Sequence, residues 1–261
     1  MQRRTFLQST LTTGAIAAMP AVIRAEDAKP EPAREFFELR TYLLKPDKQK
    51  HLDAYFERAL IPAFNRSGIQ QIGVFYETPT PAAPAVDLLV PYSSLEQMTT
   101  ATARLESDAE YQKAAADYLA MPATDPVYDR IESSLLRGFE TMPKLEAPEK
   151  KGRLFNLRIY ESHNEAAGKK KIEMFNKGEI AIFRRAGLNP VLFGEAIVGA
   201  RIPNLTYLLA FDDDEARNAA WTRFRTDPEW IKLKAIPEYE DKRIVSKITN
   251  KLLTPASYSQ I

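Results

Sequence analysis

The chain has 261 residues, 44% of them apolar, enough to bury a sizeable core in one large domain or two small ones. Its 36 Lys+Arg against 35 Asp+Glu leave a net charge of +1, which argues against a nucleic-acid binder, expected to be strongly basic. With no cysteine and only two histidines, His51 and His163, the chain excludes disulfides, iron–sulfur clusters, thiolate zinc and cysteine nucleophiles, and it lacks the ligands of a His-built catalytic zinc.

The N-terminus reads as an address. Arg3-Arg4, a spacer and Phe6-Leu7 resemble the twin-arginine export signal, an apolar stretch runs from Leu11 to Met19, and Ala25 ends a candidate cleavage site. The apolar stretch is too short to span a bilayer as a permanent helix. Removing 1–25 takes away Arg3, Arg4 and Arg24 and no acid, so the net charge of +1 becomes −2. The expected product is a soluble periplasmic or extracellular protein without stable membrane insertion. Residues 26–34 read as a linker.

The rest is a repeat. Phe36-Phe37-Glu38-Leu39-Arg40-Thr41-Tyr42 returns as Leu154-Phe155-Asn156-Leu157-Arg158-Ile159-Tyr160, an offset of 118 that becomes 119 for Phe56/Phe175, Phe64/Phe183 and Gly68/Gly187. Near the ends, Arg130-Ile131 is matched with Arg243-Ile244. The units span 35–141 and 153–261, joined by a Pro- and Lys-rich linker, 142–152. In the second unit, Leu154 to Tyr160 alternates as a half-buried strand, and Lys169 to Ala186 reads as a helix capped by Gly187. Leu188 to Val198 and Leu205 to Phe211 read as strands, Asp213 to Arg225 as the second helix, Asp227-Pro228 as a new helical start, and Lys242 to Leu253 as the last strand. The expected class is α+β: two tandem ferredoxin-like βαββαβ units that pair as a dimeric α/β-barrel-like fold.

A sheet covered by helices on one side leaves its other face bare. The reading sends Phe155, Leu157 and Ile159 to the helices, and Asn156, Arg158 and Tyr160 to a cavity between the two sheets, with Glu38, Arg40 and Tyr42 beside them. Arg158 and Arg40 would clamp an anion, and Tyr160 and Tyr42 would donate hydrogen bonds. Polar pairs bridging the sheets are the plain alternative. Glu179 falls in the apolar stripe of its helix, where the first unit has Leu60; it pairs with Arg158, reaches solvent, or is a raised-pKa acid–base. His163 stands in a strand-end loop at the expected cavity mouth, and Glu195, Asn204 and Tyr207 add polar character. Lys169-Lys170-Lys171 fans around one turn and reads as solvated. Trp221 and Trp230 read as packing.

The segments 154–163, Asn176-Lys177-Gly178-Glu179-Ile180, Phe183 to Gly187, Pro203 to Leu208 and Trp221 to Phe224 resemble the NIPSNAP family, and Phe37 to Tyr42 with Lys45-Pro46 resembles the opening of the same domain. The resemblance implies the dimeric α/β-barrel superfamily, which also holds cofactor-free monooxygenases and haem-degrading enzymes, and it fixes no reaction. The expectation is a protein without cofactor or metal that binds a small anionic or aromatic molecule between its sheets. Arg158, Tyr160, Arg40, Tyr42, Asn204, Tyr207 and Glu195 would contact it, with Glu179 and His163 as proton carriers. The alternatives are a cofactor-independent monooxygenase-like enzyme and a structural or interaction module. A homo-oligomer is left open.

Overall fold

The computed structural model describes residues 33–45, 47–81, 84–149 and 153–261. The export segment 1–25 lies outside the described residues, as does 26–32 of the linker. No described helix is long and apolar enough to cross a membrane.

Eight strands form the frame: β1 Phe36–Leu44, β2 Gly73–Glu77, β3 Ala85–Tyr92, β4 Tyr128–Gly138, β5 Leu154–Glu161, β6 Pro190–Val198, β7 Asn204–Phe211 and β8 Lys247–Pro255. They close into one antiparallel barrel in the order β1-β3-β2-β8-β5-β7-β6-β4. Within each half the spatial order is fourth, first, third, second strand. The halves are sewn together at two seams, β2–β8 (Tyr76 opposite Thr254) and β4–β6 (Leu136 opposite Ala196). A closed barrel has no free edge to protect.

The helices cover the outside. The first half has α1 Gln49–Tyr55, a π-helical turn Phe56–Leu60, α2 Ile61–Arg66, α3 Leu95–Ser107, α4 Ala109–Ala114 and α5 Ala116–Leu119. The second has α6 Glu165–Met174, a π-helical turn Phe175–Glu179, α7 Ile180–Ala186, α8 Asp214–Thr226, α9 Pro228–Lys234 and, after a short 3₁₀ turn, α10 Asp241–Ile244. Asn164 caps α6, whose start is thus earlier than Lys169, Asp213 caps α8, and Asp227 caps α9 with Pro228 in its first turn. Gly187 closes α7 at φ +80°, as its position implied. The last strand is shorter than expected: Arg243 and Ile244 belong to α10, and Ile248 takes the place opposite Tyr160 that Ile131 takes opposite Tyr42.

The strand faces are the reverse of the expectation. Phe37, Phe75, Leu89, Leu136, Phe155, Leu157, Leu192, Leu208 and Leu253, from all eight strands, fill the barrel. Arg158 and Tyr160 instead face the helices, as do Arg40 and Tyr42. The reason is closure. A half-barrel face is bare only while its partner is missing; once closed it is the driest place in the molecule and takes the large apolar side chains. Phe75 and Phe155 meet edge to face across it at 4.9 Å, and the free space left is about 10 Å³, room for no more than one water. Among the described residues, therefore, the expected ligand cavity between the sheets is not found. The described part of the joining segment is packed rather than loose: Leu145 enters the barrel core, Met142 is buried, and the Glu146 amide donates to Val191 O at 2.9 Å.

Candidate functional site

Each half keeps a second core between its helices and the outer face of its strands. The polar strand residues point into these two cores, so their chemistry must be settled there.

In the first half it is settled within the chain. Arg40 Nε and Nη2 donate to the two oxygens of Glu38 at 2.7 and 2.8 Å, and Tyr92 and Ser133 hydroxyls donate to the same carboxylate. Burial pushes the Glu38 carboxyl up, but the Arg40 fork and the two hydroxyls outweigh it and hold the carboxyl below its usual value. Tyr42 packs edge-on against Phe56 and Tyr128.

In the second half one substitution undoes this closure. The position of Glu38 holds Asn156, whose amide nitrogen donates to Asn250 Oδ1 at 2.7 Å and Lys251 O at 3.0 Å. Arg158 therefore lacks the carboxylate that Arg40 has. Its Nη2 donates to Tyr160 Oη at 3.2 Å, and its guanidinium lies 4.9 Å from the Trp221 ring and 5.5 Å from the Tyr160 ring. Arg158 Nε and Trp221 Nε1, both obligate donors, are buried with no acceptor. Tyr160 Oη also accepts from Tyr207 at 3.1 Å, so its own proton remains to donate. Three donors, two on β5 and one on α8, are thus left without an acceptor of their own. Burial lowers the Arg158 pKa, but the Tyr207, Tyr160 and Glu179 oxygens more than offset it, and the guanidinium stays charged.

Beneath this lies a buried ion pair. Lys171 Nζ sits 3.2 Å from Glu179 Oε2 and 3.2 Å from Asp241 Oδ1, with side chains 1% and 3% exposed for Lys171 and Glu179. The rings of Phe175, Tyr160 and Trp230 surround the ammonium at 5.0, 5.6 and 5.9 Å. Burial raises the Glu179 carboxyl above its usual value despite Lys171, while Glu179 and Asp241 keep Lys171 protonated. The π-helical turn ends on Glu179 and aims it inward; π-turns of this kind often mark functional positions. Burial also pushes the Tyr207 hydroxyl well up, so it stays neutral.

The structure brings together Arg158, Tyr160, Tyr207 and Glu179, and leaves the other candidates elsewhere. His163 is exposed in the turn before α6. Glu195 pairs with Arg137 across the β4–β6 seam at 3.1 Å, and Asn204 ties down its own hairpin by donating to Ala200 O and Arg201 O. Both line a surface groove of about 290 Å³ between α6 and the β6–β7 hairpin. Arg40 and Tyr42 lie in the other half. Glu179 pairs with Lys171, not with Arg158, and Lys171 is buried, not solvated. The missed residue, Lys171, had a signal in the repeat: at offset 119 it matches Leu52, a fully buried position, while Asn156, expected on the polar face, stands in place of Glu38 at offset 118.

Among known proteins, the family model described as NIPSNAP matches residues 37–137 and 155–260. Two solved structures provisionally named monooxygenases share the fold. One, from Fusobacterium nucleatum, is 9% identical, covers 85% of this chain and 93% of its own, and has a TM-score of 0.57. The other, from Lactobacillus acidophilus, is 10% identical, covers 85% and 94%, and has a TM-score of 0.57. An uncharacterised NIPSNAP-like domain protein from Burkholderia xenovorans is 21% identical over 41% of this chain and 89% of its own, at a TM-score of 0.37. No curated protein matches the chain.

Proposed function

The chain belongs to the NIPSNAP family, and on that premise we propose that it binds a small anionic, aromatic molecule beneath the helices of its second half. One observation carries this reading: Arg158 has lost the carboxylate that neutralises Arg40, and its Nε and the Trp221 indole N–H are buried donors without an acceptor. A buried donor without a partner costs about 1–3 kcal/mol, which an incoming oxygen recovers. A carboxylate, phenolate or enolate suits the fork of a guanidinium, and an aryl body suits the Trp221 and Tyr160 faces.

Titrating benzoate into the protein while following tryptophan fluorescence tests this, because the guanidinium lies against Trp221. The expected result is saturable quenching, weakened tenfold or more in Arg158→Met. Equal affinity in the variant would overturn the proposal.

A second reading is cofactor-independent oxygenation. It is favoured by Glu179, a buried carboxyl whose raised pKa suits proton transfer to or from a ligand whose enolate oxygen lies on Arg158. The fold relatives carry a monooxygenase name, but at 9 and 10% identity they speak for the fold alone. We propose further that the strand order repeated in the two halves records two ferredoxin-like units, and that residues 1–25 direct twin-arginine export. Arg3→Lys with Arg4→Lys is expected to leave the full-length precursor in the cytoplasm; export of the variant at the original level would contradict this.

A further inference from the structure

We propose that anion binding beside Arg158 is proton-linked, with Glu179 taking up a proton that solvent delivers through Asp241 and Lys171. This rests on the reading of Arg158 as an anion site and adds its regulation.

The cluster holds two cations, Arg158 and Lys171, and two carboxylates, Glu179 and Asp241. The groups facing Glu179 are Lys171 on α6, Asp241 on α10, Arg158 on β5 and Tyr207 on β7, with the Tyr160 ring of β5 against the Lys171 ammonium. With both carboxylates ionised the cluster is neutral. An anion seated on Arg158 adds one negative charge and removes the cationic support that Arg158 gives to Glu179. In a site this dry, an uncompensated charge is expensive, and the cheapest remedy is one more proton. Only Glu179 among the buried members has a place for it. Lys171 is already protonated, and burial holds the Tyr207 hydroxyl neutral.

The route is also present. Asp241 is the one exposed member, with a side chain 58% accessible, and Lys171 lies 3.2 Å from it and 3.2 Å from Glu179. A proton passes from the ammonium to Glu179, and the amine is recharged from water through Asp241. Each proton taken up comes from solvent, and nothing is oxidised or reduced. The pair occupies the positions of Leu52 and Leu60 in the first half, both buried, so packing alone does not require charges here.

By linkage, benzoate affinity should fall as pH rises through the titration of Glu179, by up to about tenfold per pH unit. Two measurements test this. Calorimetric titration with benzoate in buffers of different protonation enthalpy should show net proton uptake in the wild type. It should show none in the double variant Lys171→Leu/Glu179→Leu, whose affinity should no longer change with pH over that range. Binding without uptake in the wild type overturns the proposal. The second needs no ligand: the side-chain carboxyl signal of Glu179, assigned by its loss in Glu179→Gln, is titrated by carbon NMR. In Arg158→Met, which removes the same charge an anion would neutralise, the midpoint should move up. An unmoved midpoint overturns the proton linkage even if benzoate binds. Absence of benzoate binding beside a shifted midpoint would instead discard the aryl-carboxylate reading and keep the coupling.

Discussion

At Lys171 and Glu179 the second half spends two charges where the first half uses two leucines. Removing Glu179 leaves buried Lys171 with only the exposed Asp241 as counter-charge, so Glu179→Leu should destabilise in urea unfolding by up to about 3–5 kcal/mol, and the double variant Lys171→Leu/Glu179→Leu should be neutral or more stable by about 1–4 kcal/mol. The sign of the cycle distinguishes a pair kept for function from one kept for stability. The pH dependence follows from the raised Glu179 pKa. A carboxyl that holds its proton more tightly when folded favours the fold below the unfolded value of 4.5, and that contribution is lost as pH rises through the folded value. The stability of the double variant relative to wild type should therefore increase with pH across this range, and a constant difference would contradict the shift. Glu179 was legible from the apolar stripe and from Leu60. Lys171 was not, because three consecutive lysines resemble a solvated surface, and only the matching Leu52 marks its buried place. Arg158 and Tyr160 stand out in the sequence as polar strand residues, but strand alternation separates two faces without saying which one is wet.

The elements follow the sequence closely where local chemistry decides. Asp213 and Asp227 accept hydrogen bonds from the first turns of α8 and α9, and α8 carries Trp221 to the Arg158 guanidinium. Gly187 combines φ +80° with a close neighbour: an added Cβ would lie 2.8 Å from the Arg223 guanidinium. Gly187→Ala should then cost at least about 1–2 kcal/mol from the left-handed backbone alone, measured by thermal or urea unfolding. The π-turns are a different matter. Phe56–Leu60 and Phe175–Glu179 are π-helical in both halves, so the geometry is inherited from the repeat and only the residue at its end, Leu60 or Glu179, differs. Nothing in the side-chain periodicity announces an extra residue per turn. The end of the repeat was misregistered for a similar reason: Arg243-Ile244 resembles Arg130-Ile131 in composition, but α10 intervenes, and the true match is fixed by pairing with Tyr160.

At the scale of the molecule, duplication lets one chain supply both halves of a barrel. The seams β2–β8 and β4–β6 leave no boundary in the hydrogen-bonded sheet, so the halves should unfold in one cooperative transition, and residues 153–261 expressed alone should self-associate through the exposed edges of β6 and β8. A monodisperse monomer of that fragment in analytical ultracentrifugation would contradict this. The repeat, the element order and the barrel were readable because offset and alternation are properties of the chain. The side on which Arg158 and Tyr160 lie was not, because it depends on which face closure makes dry. Duplication also frees one half to change: the first keeps Arg40 locked to Glu38, and the second leaves Arg158 without such a carboxylate. The most direct test is a crystal structure of the protein soaked in benzoate. The carboxylate should lie about 3 Å from Arg158 Nε and Trp221 Nε1 with its ring beneath α8. Benzoate found inside the barrel, or beside Arg40 and not Arg158, would contradict the account.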